Sequence, residues 1–320
     1  MKLIACPALN QPSKIQKFLT ILVLIGFLVN LTGKSQVLAQ TETQGLTQNL
    51  PSNLTGEFGL NGLKTDYVWT KASLATEIAN QRKIYRDQLV IYRQQEKNFF
   101  IAQDQYLRHE TLDAIEQAVK ATRQVLLSRD QVLHTYLTLL QLRLMEAEGV
   151  EISLKTELLT KLEVVREKLK VHHASAIDQL DRPTANKLSD QFTVIGEESE
   201  LLGSQVLGLL SLGKLQEIFD KSMALSPDIT AEVTVTTVDK AVSAETTRSL
   251  RETAASLVLA KKSLDLTWEK VTDRVLSEAD ISGQSDFSQE LNVSYANLTK
   301  SLGYFLELLK LYRTVGAAST

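Results

Sequence analysis

Cysteine is almost missing from this chain of 320 residues. The single one, Cys6, precedes an uncharged apolar run instead of following it, so "LIAC" at residues 3–6 is not a lipid-attachment signal. A chain that loses its leader would carry no thiol. Disulfides and thiolate metal sites are then excluded, and burial alone must hold the fold. Proline is also scarce: only Pro183 and Pro227 lie beyond Asp66.

Catalytic signatures are missing too. The sequence contains no G-x-S-x-G, no G-x-x-x-x-G-K-[ST] and no H-E-x-x-H. His109-Glu110 begins the last of these, but Asp113 stands where the second histidine belongs. Carboxylate-bridged metal bundles use Glu-x-x-His, a spacing that aims both side chains into the core. The residues three before His109, His134, His172 and His173 are Tyr106, Gln131, Leu169 and Lys170, none of them acidic. No catalytic residue, cofactor site or metal site is expected, and the chain reads as non-enzymatic.

A block of basic charge is the next absence. Residues 1–39 hold four of the 35 basic residues and no acidic one. The remainder has 31 basic against 38 acidic residues, a net charge of −7. A mildly acidic body without a basic stripe argues against nucleic acid as partner.

The N-terminus reads as an export signal over residues 1–39. Lys2, Lys14 and Lys17 precede the run "FLTILVLIGFLVNL" from Phe18 to Leu31. Its 14 residues suit a signal-peptide core and fall short of the roughly 20 needed to span a bilayer. Val37 and Ala39 offer small residues before a cut ahead of Gln40. An uncleaved anchor is the alternative, and only then would the membrane be a partner. Either way the expected location is exported: periplasmic, cell-surface or secreted. Residues 40–63 are polar and rich in Thr, Asn and Gly, as in a flexible linker.

What fills the rest is helix-forming. Leu, Ala, Glu, Gln, Lys and Arg dominate from Asp66 onward. Apolar residues recur at steps of three and four, the helical period. One series runs Leu112, Ile115, Val119, Thr122, Leu126, Arg129, Leu133, Leu137, Leu140, Leu144. A second runs Leu158, Leu162, Val165, Leu169, His172, Ala176, Leu180. Others are Leu250, Ala254, Leu257, Lys261, Leu264, Trp268, Val271, Val275, and Phe287, Leu291, Ser294, Leu298, Leu302, Phe305, Leu309, Tyr312.

The fold class is therefore all-α, an elongated bundle of about six long antiparallel, coiled-coil-like helices. The predicted helices cover 66–106, 111–148, 153–181, 183–224, 228–279 and 285–314. They divide into a three-helix segment at 64–181, a second at 182–315 packed on or continuing the first, and a disordered tail at 316–320. Ser226-Pro227-Asp228 reads as an N-cap, first-turn proline and acid that start a new helix, and "LDRPT" around Pro183 plays a similar part. Gly149 ends the helix before it, and 280–286 is a loop in which Asp286 is a candidate cap. Two stretches resist. "ITAEVTVTTVDKAV" (229–242) is β-branched enough to suggest a strand, yet no partner strand is evident, so helix is preferred. Gly196, Gly203, Gly208 and Gly213 weaken a helical pattern, implying a kink near 208–213 or the close approach of a neighbouring helix there.

Ile84-Tyr85-Arg86 returns as Ile91-Tyr92-Arg93, and Ile78, Tyr85, Tyr92, Phe99 and Tyr106 form one column at sevenfold spacing. Tyr85, Arg86, Tyr92, Arg93 and Phe99 could form a strip on which a flat ligand stacks while the arginines grip an anion. The preferred reading is a bundle seam, in which rings fill the core and polar tips reach the rim. Thr122, Arg129 and Lys261 are candidate polar core positions that fix helix register, with a ligand cavity as the alternative. His172 falls in the apolar register as a hydrogen-bonded core histidine. The pairs His109–Asp113 and Asp130–His134, each four apart, read as surface salt bridges. Asn53, Asn292 and Asn297 satisfy N-x-S/T, two of them within a predicted helix.

No family resemblance emerges. The expected function is that of an exported, non-enzymatic helical module acting by contact as a structural, scaffold or adaptor element of the cell envelope. Its expected partners are other proteins or itself, through helix faces. The runner-up is an extracytoplasmic ligand-binding, sensor-like bundle.

Overall fold

Thr70 opens the first helix through a reciprocal cap. Its hydroxyl accepts from the Ser73 amide at 3.2 Å, and the Ser73 hydroxyl accepts from the Thr70 amide at 3.0 Å. The computed structural model describes residues 70–177, 181–236, 240–276 and 288–318. These form α1 (Lys71–His109), α2 (Leu112–Glu146), α3 (Ile152–Ile177), α4 (Arg182–Thr236), α5 (Lys240–Leu276) and α6 (Ser288–Ala318). The described part is all-α, without a strand. The expected leader, the linker, Leu180, the loop at 280–286 with Asp286, and Phe287 lie outside the described residues, as does the side chain of Tyr312.

Each turn has a local cause. Glu110 sits in the left-handed region at φ 44°, which ends α1, and the Thr111 hydroxyl accepts from the Ala114 amide to start α2. Asp181 accepts from the Thr184 amide at 2.9 Å, with Pro183 in the first turn of α4 as expected. Pro227 behaves differently. No helix starts there; α4 runs through it to Thr236. The carbonyl of Met223 loses its amide partner at Pro227, but Met223 and Leu225 are exposed, so water can serve it. The helix break expected at 226 is therefore absent, and the described parts of 229–242, residues 229–236 and 240–242, are helical. At 55 residues, α4 is about 80 Å long. α6 continues to Ala318, into the segment expected to be a tail.

Two contacts each show that α1 and α2, and α2 and α3, run in opposite directions where they pack. Tyr85 meets Tyr136 and Glu96 meets Arg129 across α1 and α2. Asp130 meets His172 and Gln141 meets Arg166 across α2 and α3. Lys168 meets Glu198 across α3 and α4, and Lys270 meets Glu290 across α5 and α6. The largest apolar cluster draws on α2 through α6, with Leu137, Leu158, Leu209, Leu264 and Leu308 fully buried. Each such leucine contributes roughly 2 kcal/mol.

α2 lies inside. Every residue from Val132 to Leu140 is buried, which needs neighbours on all sides, and α1, α3 and α4 supply them. The leucines of its predicted stripe from Leu126 to Leu144 are buried, Arg129 among them is half-buried, and Leu112 is exposed. In α5 and α6 the core stripe differs by one position in places. Ala260 takes the core position expected of Lys261, and Ser301 and Leu308 are buried in place of Leu302 and Leu309. A backbone with 3.6 residues per turn drifts against a strict sevenfold repeat, and adjacent apolar residues leave the choice to packing.

The glycines of α4 mark a close approach. The turn after α2 lies against the helix, so that a Cβ at Gly213 would meet Val150 Cγ2 at 2.6 Å. A Cβ at Gly149 would collide with the Gly213 carbonyl oxygen. The chain does come close here, but a turn makes the contact in place of the neighbouring helix that was expected.

Candidate functional site

Four helices bring polar and aromatic groups to one level. α2 contributes Arg129 and Asp130, α3 contributes His172 and His173, α4 contributes the Leu188 carbonyl and Phe192, and α1 contributes Tyr92 and Glu96. Asp130 is fully buried and His172 nearly so. His172 Nδ1 lies 2.9 Å and 2.8 Å from the two Asp130 carboxylate oxygens, and His172 Nε2 lies 2.9 Å from the Leu188 carbonyl oxygen.

The chemistry of these partners fixes the charge. A carbonyl oxygen only accepts, and an ionised carboxylate only accepts, so both ring nitrogens are called on to donate. The imidazolium satisfies both. Burial opposes the charged ring, but the Asp130 hydrogen bond, the Asp130 charge and the Leu188 carbonyl together outweigh it and raise the His172 pKa. The result is a buried aspartate–imidazolium pair that joins α2, α3 and α4.

His134, one turn beyond Asp130, goes the other way. Burial, followed by the nearby positive charges of Arg166, Lys170 and His173, lowers its pKa to about 3. It is a neutral core side chain at ordinary pH. His173 Nδ1 lies 3.6 Å from Asp130 Oδ2. Arg166, almost wholly buried, donates from Nη1 to Gln141 at 2.5 Å and to Glu163 at 2.6 Å. Its burial lowers its pKa, with Glu163 and Glu167 opposing.

Arg129 extends the layer outward. Its guanidinium lies 5.7 Å from the ring centres of both Tyr92 and Phe192, and 3.8 Å from Glu96. The Tyr92 hydroxyl donates to Glu96 at 2.5 Å. Phe192 in turn lies 5.8 Å from the His172 ring. At the end of α3, Arg123 donates to the carbonyls of Ala176 and Ile177.

The predicted site residues separate into groups. Arg129, His172 and Tyr92 are brought together in this layer. Tyr85 is half-buried against Tyr136, ring centres 6.1 Å apart, and burial, only partly offset by the Arg93 charge, pushes its pKa up to about 12. Burial does the same to Tyr92. Phe99 is buried with Ala102, Ala121 and Val125. Tyr85, Tyr92 and Phe99 thus face α2 across the seam. Arg86 and Arg93 are exposed. Thr122 is half-buried and bonds only the Ala118 carbonyl of its own helix among the contacts found, at 2.8 Å. Lys261 is exposed and pairs with Asp265 at 2.7 Å, so it takes no part in the core.

Asp130 and His134 differ most from expectation. Read as a surface pair, both are fully buried, and Asp130 is held by histidines of the next helix. Arg166 carried no sequence mark, and His173 was noted only as a histidine without an acidic residue three before it. One signal was present: from Val125 to Leu144, apolar residues occur on every side of α2, as in a helix at the centre of a bundle. Charged residues inside such a segment have to be paired.

Among the described residues, no group of three or more His, Cys, Asp or Glu side chains is placed to hold a metal ion. No described helix is long and apolar enough to cross a membrane. A surface cleft of about 480 Å³ is lined by Arg93, Glu96, Lys97, Phe100, Ile101, Asp104 and Gln105. All belong to α1, so the cleft is open to solvent. No family model, no curated protein and no solved structure matches the chain.

Proposed function

We propose that this protein acts by contact, as an exported, non-enzymatic structural, scaffold or adaptor module of the cell envelope. The observation that carries the reading is how the buried polar groups are used. Asp130, His172, Arg129, Glu96 and Tyr92 are satisfied by one another and tie four helices together. A buried pair of this kind holds helices in one register. Groups so engaged are not free to bind a substrate. The export component rests on residues 1–39 and on their sequence alone.

A sensor-like, ligand-binding bundle is the weaker reading. It would draw on the open cleft beside Arg93 and Phe100, but Tyr85, Tyr92 and Phe99 are turned into the seam. Affinity capture from the native envelope, with the tagged chain as bait, tests the contact reading. Specific retrieval of a protein partner, or of the untagged chain itself, supports it. A small molecule that co-purifies stoichiometrically and is lost in Arg93→Ala, with no protein retrieved, would replace it with the ligand-binding reading.

A further inference from the structure

We propose that two copies of this chain exchange α1, which opens at the Glu110–Thr111 turn and packs on α2 of the other copy. The inference rests on the contact reading above and names a second copy as the partner.

The first observation is the seam. α1 makes its extended contact with α2 alone. Its inward face is poor in apolar side chains: six of its 39 residues are buried, and two of those are Gln81 and Gln95. α3, by comparison, buries nine of 26. Gln81, Gln88 and Gln95 repeat every seven residues, and the side-chain oxygen of each is buried without a hydrogen-bond partner. Lifting α1 returns these oxygens to water, so this seam opens at lower cost than one filled with leucine.

The second is the turn. Only Glu110 and Thr111 join α1 to α2. Glu110 holds φ 44°, the one positive φ at a non-glycine position among the described residues. A side chain there crowds its own backbone, and opening the turn releases that strain. Residues 107–113 are all exposed, so packing does not hold the turn closed. They contain neither glycine nor proline, and a helical or extended path is open to each of them. The closed and exchanged forms share the same seam, so a short strained turn tips the balance toward exchange.

The third is the surface that α1 would leave. On α2 it carries Ala121, Val125, Leu139 and Leu142, which pack against Leu74, Ile78, Phe99 and Ala102 of α1. Tyr85 on Tyr136, Glu96 with Arg129 and Lys71 with Glu148 fix the register along its length. A second copy brings the helix that fits this surface. Exchange keeps each of these contacts and makes it between copies, twice, as a twofold assembly requires.

Two measurements on the full chain provide the test. Sedimentation after refolding from urea at high concentration should show a wild-type dimer. Glu110→Gly, which fits the left-handed turn without strain, should raise the dimer dissociation constant about tenfold or more. The second measurement uses Ala102 and Ala121, which share one buried cluster across the seam. Ala102→Cys and Ala121→Cys chains, each in a Cys6→Ser background, are refolded together and oxidised, with circular dichroism to verify helix content. The mixture should give a disulfide-linked heterodimer, and neither variant alone should cross-link. A wild-type monomer at all concentrations overturns the proposal. So does a dimer indifferent to Glu110→Gly, or a folded mixture that cross-links no better than its components. Self-association would then lie on another face, and the contact reading would stand. The contact reading fails separately, if the chain neither self-associates nor retrieves a protein partner.

Discussion

His172 Nδ1 lies 2.8 Å from Asp130 Oδ2, and both side chains are out of contact with solvent. Forty-two residues separate them in the chain. Breaking a buried pair leaves an uncompensated charge, which costs about 3–5 kcal/mol. Asp130→Ala should therefore lower unfolding stability by that amount in urea melts. A loss below about 1 kcal/mol would mean that the pair is not closed in solution.

The two titrating histidines give stability a maximum. His172 has a raised pKa in the fold, so its contribution is fully present below its unfolded value of 6.5 and is lost as pH rises through the folded value. His134 has its pKa lowered to about 3, so between 6.5 and 3 the unfolded state binds the extra proton and stability falls as pH falls. The optimum should lie near pH 6.5, with an acid limb of up to about 1.4 kcal/mol per pH unit from His134. Urea melts from pH 4 to 9 should show His134→Leu flattening the acid limb, and His172→Gln the alkaline one. Unchanged limbs in both variants would refute the assignment.

Two glycines of α4 should respond with opposite signs. Gly196→Ala adds a methyl at ordinary contact distance, 3.9 Å from Phe192, and should stabilise by up to about 1 kcal/mol. Gly213→Ala drives a methyl into Val150 and the turn at Gly149, and should destabilise by about 1–3 kcal/mol despite the better helix former. Paired thermal melts decide, and equal responses would contradict the close approach.

The register of α5 makes a sharp contrast. Lys261→Ala touches an exposed ion pair and should change stability by less than about 0.5 kcal/mol. Ala260→Lys buries an unpaired ammonium at a fully enclosed position and should prevent normal folding. The reverse outcome would restore the stripe through Lys261.

Helices and their apolar stripes were legible because a local period is enough to reveal them. The column from Ile78 to Phe99 and the α3 series from Leu158 to Ala176 needed no knowledge of neighbours. Asp130 and Arg166 were not legible, because what makes a buried charge tolerable is a partner on another helix. His172 was read as a core residue, but its partner could not be named. The α4 boundary was misplaced because Pro227 is tolerated where the chain is exposed, and exposure is a tertiary property. Ser301 was passed over for Leu302, since composition favours leucine in a core and packing there chose the smaller side chain.

The protonation state of His172 tests the central claim most directly. Nitrogen-15 NMR of ring-labelled protein at pH 6 should show both His172 nitrogens protonated, with Asp130→Asn returning the ring to a neutral tautomer. A neutral His172 in the wild-type protein at that pH would contradict the buried ion pair and, with it, the four-helix layer on which the account is built.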